Sequence, residues 1–196
     1  MKDPDNIAGL AALNPDFMGF IFYEKSPRYA GNVDPAVVHG LSSGIRKVGV
    51  FVNATRESIL AKAETYALDY VQLHGDESPT FAKRLKSEGL KVIKVFRIAE
   101  KLPPDMADFA ESADLFLFDT DTKAYGGSGK KFDWELLRQN EIPLPYLLSG
   151  GIGPGDIAAV ARLDLPGMIG IDVNSRFETA PGFKNIELIQ QIIPQL

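Results

Sequence analysis

Residues able to do chemistry concentrate in one stretch: Asp114-Leu-Phe-Leu-Phe-Asp119, then Thr-Asp-Thr-Lys-Ala-Tyr-Gly126-Gly-Ser-Gly129-Lys-Lys-Phe-Asp133-Trp134. Four successive apolar residues predict a buried strand that stops at Asp119. A polar, glycine-rich loop comes next, and Asp133 reads as the N-cap of a helix. A carboxylate at the C-terminal tip of a strand, beneath a loop, is where parallel α/β proteins keep acid–base groups. From this stretch alone, a turn aspartate with no chemical role fits equally well.

A second group is suited to anions. Ser149-Gly150-Gly151-Ile152-Gly153-Pro154-Gly155 ends one apolar run and leads into a helix. Glycines there let backbone N–H groups approach an anion without side-chain obstruction. It pairs with Asp172-Val173-Asn174-Ser175-Arg176-Phe177-Glu178, after the last apolar run, where Asn174 and Ser175 supply short donors and a backbone able to start a small extra helix. Two such loops after the last two strands favour a phosphate site over a plain flexible loop. Arg28, in Ser26-Pro27-Arg28-Tyr29, could grip a carboxylate through two parallel hydrogen bonds, or lie solvated on Tyr29. His74, closing the run Val71-Gln72-Leu73, suits either a donor to substrate or carboxylate, or a structural role. His39 at a helix end complements the helix dipole, and Trp134 reads as packing.

The elements that position these residues recur in alternation. Apolar strands are predicted at 17–22, 47–52, 70–73, 91–96, 114–118, 145–148 and 168–172. A first helix is capped by Asp3 with Pro4 at its first position. Further helices fall near 34–43, 55–66, 78–87, 104–112, 133–139, 154–163 and 184–193, leaving no room for hairpins. Strands apolar on both faces and separated by helices belong to a parallel sheet with right-handed crossovers. The count is seven strands and eight helices, beginning with a helix. No G-x-G-x-x-G comes after the first strand, and the glycine-rich loop comes late, so a (β/α)8 TIM-type barrel is favoured over a doubly wound sheet. The α/β fold is expected as one domain over 1–196, with its first strand missing and the barrel open or distorted there.

Composition narrows the function classes. The chain has 196 residues, 45% hydrophobic, a net charge of −5, no cysteine and two histidines. The apolar content suffices for a core, a nucleic-acid-binding face is disfavoured, and disulfides and thiolate metal sites are excluded. No apolar run reaches membrane-spanning length and no signal-peptide pattern is visible, so a cytoplasmic protein with no membrane or nucleic-acid partner is expected.

Taken together, the pieces resemble phosphoribosylanthranilate isomerase of tryptophan biosynthesis. They are Gly19-Phe-Ile-Phe22 with Ser26-Pro-Arg28-Tyr29, Val48-Gly-Val-Phe-Val52, Val71-Gln-Leu-His-Gly75, Leu117-Phe-Asp119-Thr, Tyr125-Gly-Gly-Ser-Gly129-Lys with Phe132-Asp-Trp134, Leu148-Ser-Gly-Gly-Ile152, and Asp172-Val-Asn-Ser175 with Glu178, Pro181 and Gly182. The resemblance implies an Amadori rearrangement of N-(5-phosphoribosyl)anthranilate to 1-(2-carboxyphenylamino)-1-deoxyribulose 5-phosphate, without cofactor or metal. Its only implied partner is the phosphosugar substrate, and the chain is expected as a monomer or homodimer. Asp119 would be the general acid, which needs burial or neighbouring negative charge to keep a proton near neutral pH. Arg28 would hold the anthranilate carboxylate, and Gly150, Gly151, Asn174 and Ser175 the phosphate. His74 and Asp172 would support the site, as would Gly127 and Ser128 in a loop folding over substrate.

One departure is large. The family's general base is a cysteine in a Cys-Gly pair ending its first strand, and Met1-Lys2-Asp3-Pro4 matches the segment directly after that pair. The implied base and its strand are absent, so turnover by this chain is expected to be negligible. The alternatives are a catalytically dead phosphosugar-binding barrel and another phosphosugar isomerase or epimerase.

Overall fold

The computed structural model describes residues 1–120 and 131–195. Seven parallel strands form one sheet in chain order: β1 Phe17–Ile21, β2 Arg46–Phe51, β3 Tyr70–Leu73, β4 Lys91–Ile98, β5 Leu115–Thr120, β6 Tyr146–Leu148 and β7 Met168–Ile171. All seven predicted strands are present, with ends shifted by at most two residues. The sheet curls on itself. Alternate residues of β2, β4, β5 and β6 (Val48, Ile93, Val95, Leu115, Leu117, Leu147) form one small apolar cluster, with Phe17 and Tyr70 against it. Residues of the other parity, such as Phe20, Phe51, Val71, Phe96, Phe116 and Leu148, join a larger cluster shared with the helices. A filled interior inside a sheet whose outer face is covered by helices is the layering of a TIM-type barrel.

Among the described residues no ladder joins β7 to β1, so the barrel is open at that seam. The free edge of β1 is nonetheless blunted. The amino group of Met1 donates to Gly19 O at 3.0 Å, and Ala30 N donates to Ile21 O at 2.8 Å. Burial first, then the nearby Lys184 charge, push the Met1 amine down to about 5.

The helices are α1 Pro4–Ala11, α2 Pro35–His39, α3 Arg56–Tyr66, α4 Pro79–Ser87, α5 Glu135–Arg138, α6 Ile157–Val160 and α7 Ile186–Ile192. Asp3, Asp34, Thr55, Ser78 and Asn185 each accept a hydrogen bond from a backbone N–H of the first turn, and proline opens α1, α2 and α4. These caps satisfy donors that the helix leaves free. Two helices differ from expectation. Segment 104–112 holds only a 3₁₀ turn, Met106–Phe109, whose preceding Asp105 makes no side-chain cap. Segment 154–163 splits into a 3₁₀ turn, Pro154–Asp156, and the short α6.

The expectation of no hairpin also fails. β8 Glu178–Ala180 pairs antiparallel with β9 Phe183–Lys184, because Pro181-Gly182 closes a tight turn with Gly182 at φ +84°. A left-handed backbone there is costly for anything but glycine. This hairpin meets α1 across the seam. The Asn6 amide reads the Lys184 backbone as a strand would, with Nδ2 2.8 Å from Lys184 O and Lys184 N 2.7 Å from Oδ1.

Candidate active site

Because the strands are parallel, their C-terminal ends share one rim. Strand alternation turns Gln72, His74, Asp119, Ser149 and Asp172 toward the axis, the parity of Val95, Leu117 and Leu147 one step below. Asp119 is half-buried. Its Oδ1 accepts from Thr120 N at 2.8 Å, and its Oδ2 lies 3.5 Å from His74 Nε2. Gln72 Nε2 sits 3.2 Å from His74 Nδ1. An amide NH2 only donates, so Nδ1 accepts and the ring proton is left on Nε2, facing Asp119.

Asp172 stands just past the end of β7, its Oδ2 accepting from Ser149 Oγ at 2.9 Å. Burial raises its proton affinity above the usual carboxylate range. The Ser149 hydroxyl and Lys184 oppose that rise, and Asp119 adds to it. The rim therefore holds two half-buried carboxyls that sense each other, one of them with its carboxyl group strongly desolvated.

The glycine-rich loop after β6 meets the end of β5 beside Asp119. Thr120 Oγ1 donates to Gly150 O at 3.2 Å, and a Cβ on Gly150 would stand 2.3 Å from Thr120 N. Gly150 and Gly151 have φ of +90° and +70°. Only glycine combines that backbone with so close an approach. Asn174 precedes a 3₁₀ turn, Ser175–Phe177, without a side-chain cap, its backbone starting the small extra helix that the sequence suggested. Its Oδ1 is taken by Lys184 Nζ at 2.8 Å, which leaves Asn174 its backbone and amide NH2.

Arg28 lies in the loop after β1 and is paired. Nε donates to Glu178 Oε2 at 2.9 Å and Nη2 to the same oxygen at 2.6 Å. His39 Nε2 donates to Thr65 O at 3.0 Å, so it ties α2 to α3 besides ending its helix. Trp134 packs half-buried beneath Lys131, and Asp133 Oδ1 caps Glu135 N at 3.0 Å. Gly127 and Ser128 lie outside the described residues. Among the described residues no group of three or more His, Cys, Asp or Glu could hold a metal ion, and no helix is long and apolar enough to cross a membrane.

Sequence reasoning missed the buried pair that holds the His74 loop. Lys94 Nζ donates to Gly75 O at 2.8 Å and Glu77 Oε2 at 3.2 Å. Glu77 also accepts from Asn53 N at 2.8 Å and Gly75 N at 3.0 Å, pinning the loops after β2 and β3 together. Burial lowers the Lys94 pKa, against the opposing pull of Glu77. The signal was present: Lys94 stands in mid-strand between Val92-Ile93 and Val95-Phe96, and a charge there needs a buried partner.

The open ring of parallel strands, with acid groups and a glycine-rich loop on one rim, defines a TIM-barrel-like α/β protein whose site suits a small anionic ligand. Residues 1–195 match the family described as N-(5'phosphoribosyl)anthranilate (PRA) isomerase, and the chain belongs to that family. The N-(5'-phosphoribosyl)anthranilate isomerase of Parabacteroides distasonis is 44% identical over 199 residues, covering all of this chain and 90% of that protein. The crystal structure of phosphoribosyl anthranilate isomerase from Thermotoga maritima is 32% identical with a TM-score of 0.84, covering 100% of this chain and 94% of that one. A phosphoribosyl anthranilate isomerase in complex with reduced 1-(o-carboxyphenylamino)-1-deoxyribulose 5-phosphate is 29% identical with a TM-score of 0.79, at the same coverage.

Proposed function

We propose that this chain binds N-(5-phosphoribosyl)anthranilate and supplies the acid half of its Amadori rearrangement in tryptophan biosynthesis. The observation that carries this is Asp119, half-buried at the tip of β5, facing His74 and linked through Thr120 to the Gly150 loop. Asp119 would give its proton to the furanose ring oxygen as the C1–O bond opens to an imine. A base must then take the proton from C2, and the enol formed tautomerises to the ketone. His74, its proton on Nε2, is placed to orient Asp119. Backbone N–H groups of Gly150, Gly151, Asn174 and Ser175 would hold the phosphate, and Arg28 the carboxylate.

The base that the family resemblance implies is a cysteine, and the sequence has none. A strand bearing it would complete the ring between the unpaired edges of β1 and β7. The 196-residue polypeptide should bind the reduced product analogue by calorimetry yet show negligible conversion of phosphoribosylanthranilate by fluorescence. Robust turnover would overturn the missing-base reading, and no binding would overturn the assignment of the site.

A further inference from the structure

We propose that Glu178 and Lys184 are positioning residues that aim Arg28 at the ligand's carboxylate and tie it to the turn after β7. The inference rests on the ligand-binding role proposed for Arg28 and deepens it.

A guanidinium has two forks: a side fork of Nε–H and one Nη2–H, and an end fork of Nη1–H and the other Nη2–H. In this structure Glu178 takes the side fork, with Nε at 3.1 and 2.9 Å from its two oxygens and Nη2 at 2.6 Å. No hydrogen bond from Nη1 is present among the described residues. The end fork is therefore free and held in one direction, the arrangement that a second carboxylate needs for bidentate recognition.

Glu178 is itself held from three sides. It accepts from Gly182 N at 3.2 Å and from Lys184 Nζ at 3.5 Å, besides Arg28. Burial alone would raise its pKa, but the Arg28 hydrogen bonds and the Lys184 charge hold it below the usual carboxylate range. Lys184 does two further things. Its Nζ donates to Val173 O at 3.2 Å and Asn174 Oδ1 at 2.8 Å, so the residue that steadies Glu178 also fixes the turn proposed to hold phosphate. Its charge also matters. An Arg28–Glu178 pair is neutral, and a neutral pair attracts an anion weakly. Adding Lys184 places a second cation against Glu178, both side chains being nearly inaccessible to water, with Asp172 the other carboxyl that feels the Lys184 charge. Glu178 and Lys184 thus join the two ends of one ligand, its carboxylate and its phosphate.

The test compares two ligands by calorimetry with the full chain: reduced 1-(o-carboxyphenylamino)-1-deoxyribulose 5-phosphate and its counterpart lacking the carboxyl group. Glu178→Gln adds a net positive charge, so charge alone predicts tighter binding of the carboxylated ligand. Positioning predicts the reverse, a loss of about tenfold for the carboxylated ligand and little change for the other. Lys184→Met should also shift the ratio against the carboxylated ligand, while weakening both through the phosphate turn. Lys184→Arg should restore most of the ratio and keeps the question answerable if Lys184→Met does not fold. Equal losses for both ligands in Glu178→Gln, or a tighter grip on the carboxylated one, overturn the proposal alone. Binding of neither ligand by the unaltered chain overturns the site assignment, and the proposal with it.

Discussion

The two rim carboxyls differ in their surroundings, and the difference is measurable. Asp172 is half-buried, with its carboxyl group desolvated, one hydroxyl donor and a cation near it, and its proton affinity is raised. A carboxyl whose folded-state pKa lies above its unfolded value favours folding only while protonated. Stability from this group falls as pH climbs from the ordinary aspartate range through the raised folded value, and is fully lost above it. Asp172→Asn removes the ionisation and keeps an acceptor for Ser149. The variant should melt higher than the parent at pH 8, with the gap closing as pH falls toward 4. A constant gap across that range would mean Asp172 is not carrying the pH dependence. Tyr146 makes a simpler case. Its hydroxyl is buried with no hydrogen-bond partner among the described residues, and burial pushes its pKa up to about 12. Tyr146→Phe leaves the ring packed on Phe118 and removes an unsatisfied polar atom. Urea titration should show a gain of about 1 kcal/mol.

At the scale of elements, the site depends on loops held from behind the sheet. The Glu77–Lys94 pair lies on the helix-facing side of the strands, yet it fixes the loop that carries His74. Lys94→Met leaves Glu77 buried without its cation and should cost about 3–5 kcal/mol. A loss below about 1 kcal/mol would mean water reaches Glu77. The legibility of these elements depends on where their signals lie. β3 was readable to the residue because the apolar run of Val71 and Leu73 is bounded by Asp69 and Gly75. Asp119 stood out because a charge ending such a run marks the strand tip. The helix expected at 104–112 did not form: Pro103-Pro104 and the short span before Ala113 leave space for one tight turn. The Arg28–Glu178 contact joins residues 150 apart in sequence, and no periodicity encodes which loops a curled sheet will bring together. Lys184 was hidden for a different reason: its partners Val173, Asn174 and Glu178 are brought to it by the β8–β9 hairpin, which the strand pattern did not reveal.

For the molecule as a whole, the seam between β1 and β7 decides how the barrel behaves. Closing a sheet into a ring removes its edges, and an open seam leaves two rows of backbone groups needing partners. The β1 row is partly supplied by Met1 and Ala30. β7 is less well protected, with a register shift opposite Tyr146/Leu147 and Ile169 53% exposed. Amide protection should therefore be graded around the sheet, because exchange tracks the ease of local opening. β3, β4 and β5, each paired on both sides, should exchange slowest. In β1 the amides of Met18 and Phe20, on the β2 side with Phe22 N bonded to Val50 O, should outlast that of Gly19 on the free side. β7 should exchange fastest of the seven. Hydrogen exchange by NMR at low protein concentration reads this directly, and repeating it at a much higher concentration shows whether β7 finds a partner edge. Protection of β7 equal to that of β4 at both concentrations would mean that the ring closes in solution, and the open seam would have to be abandoned.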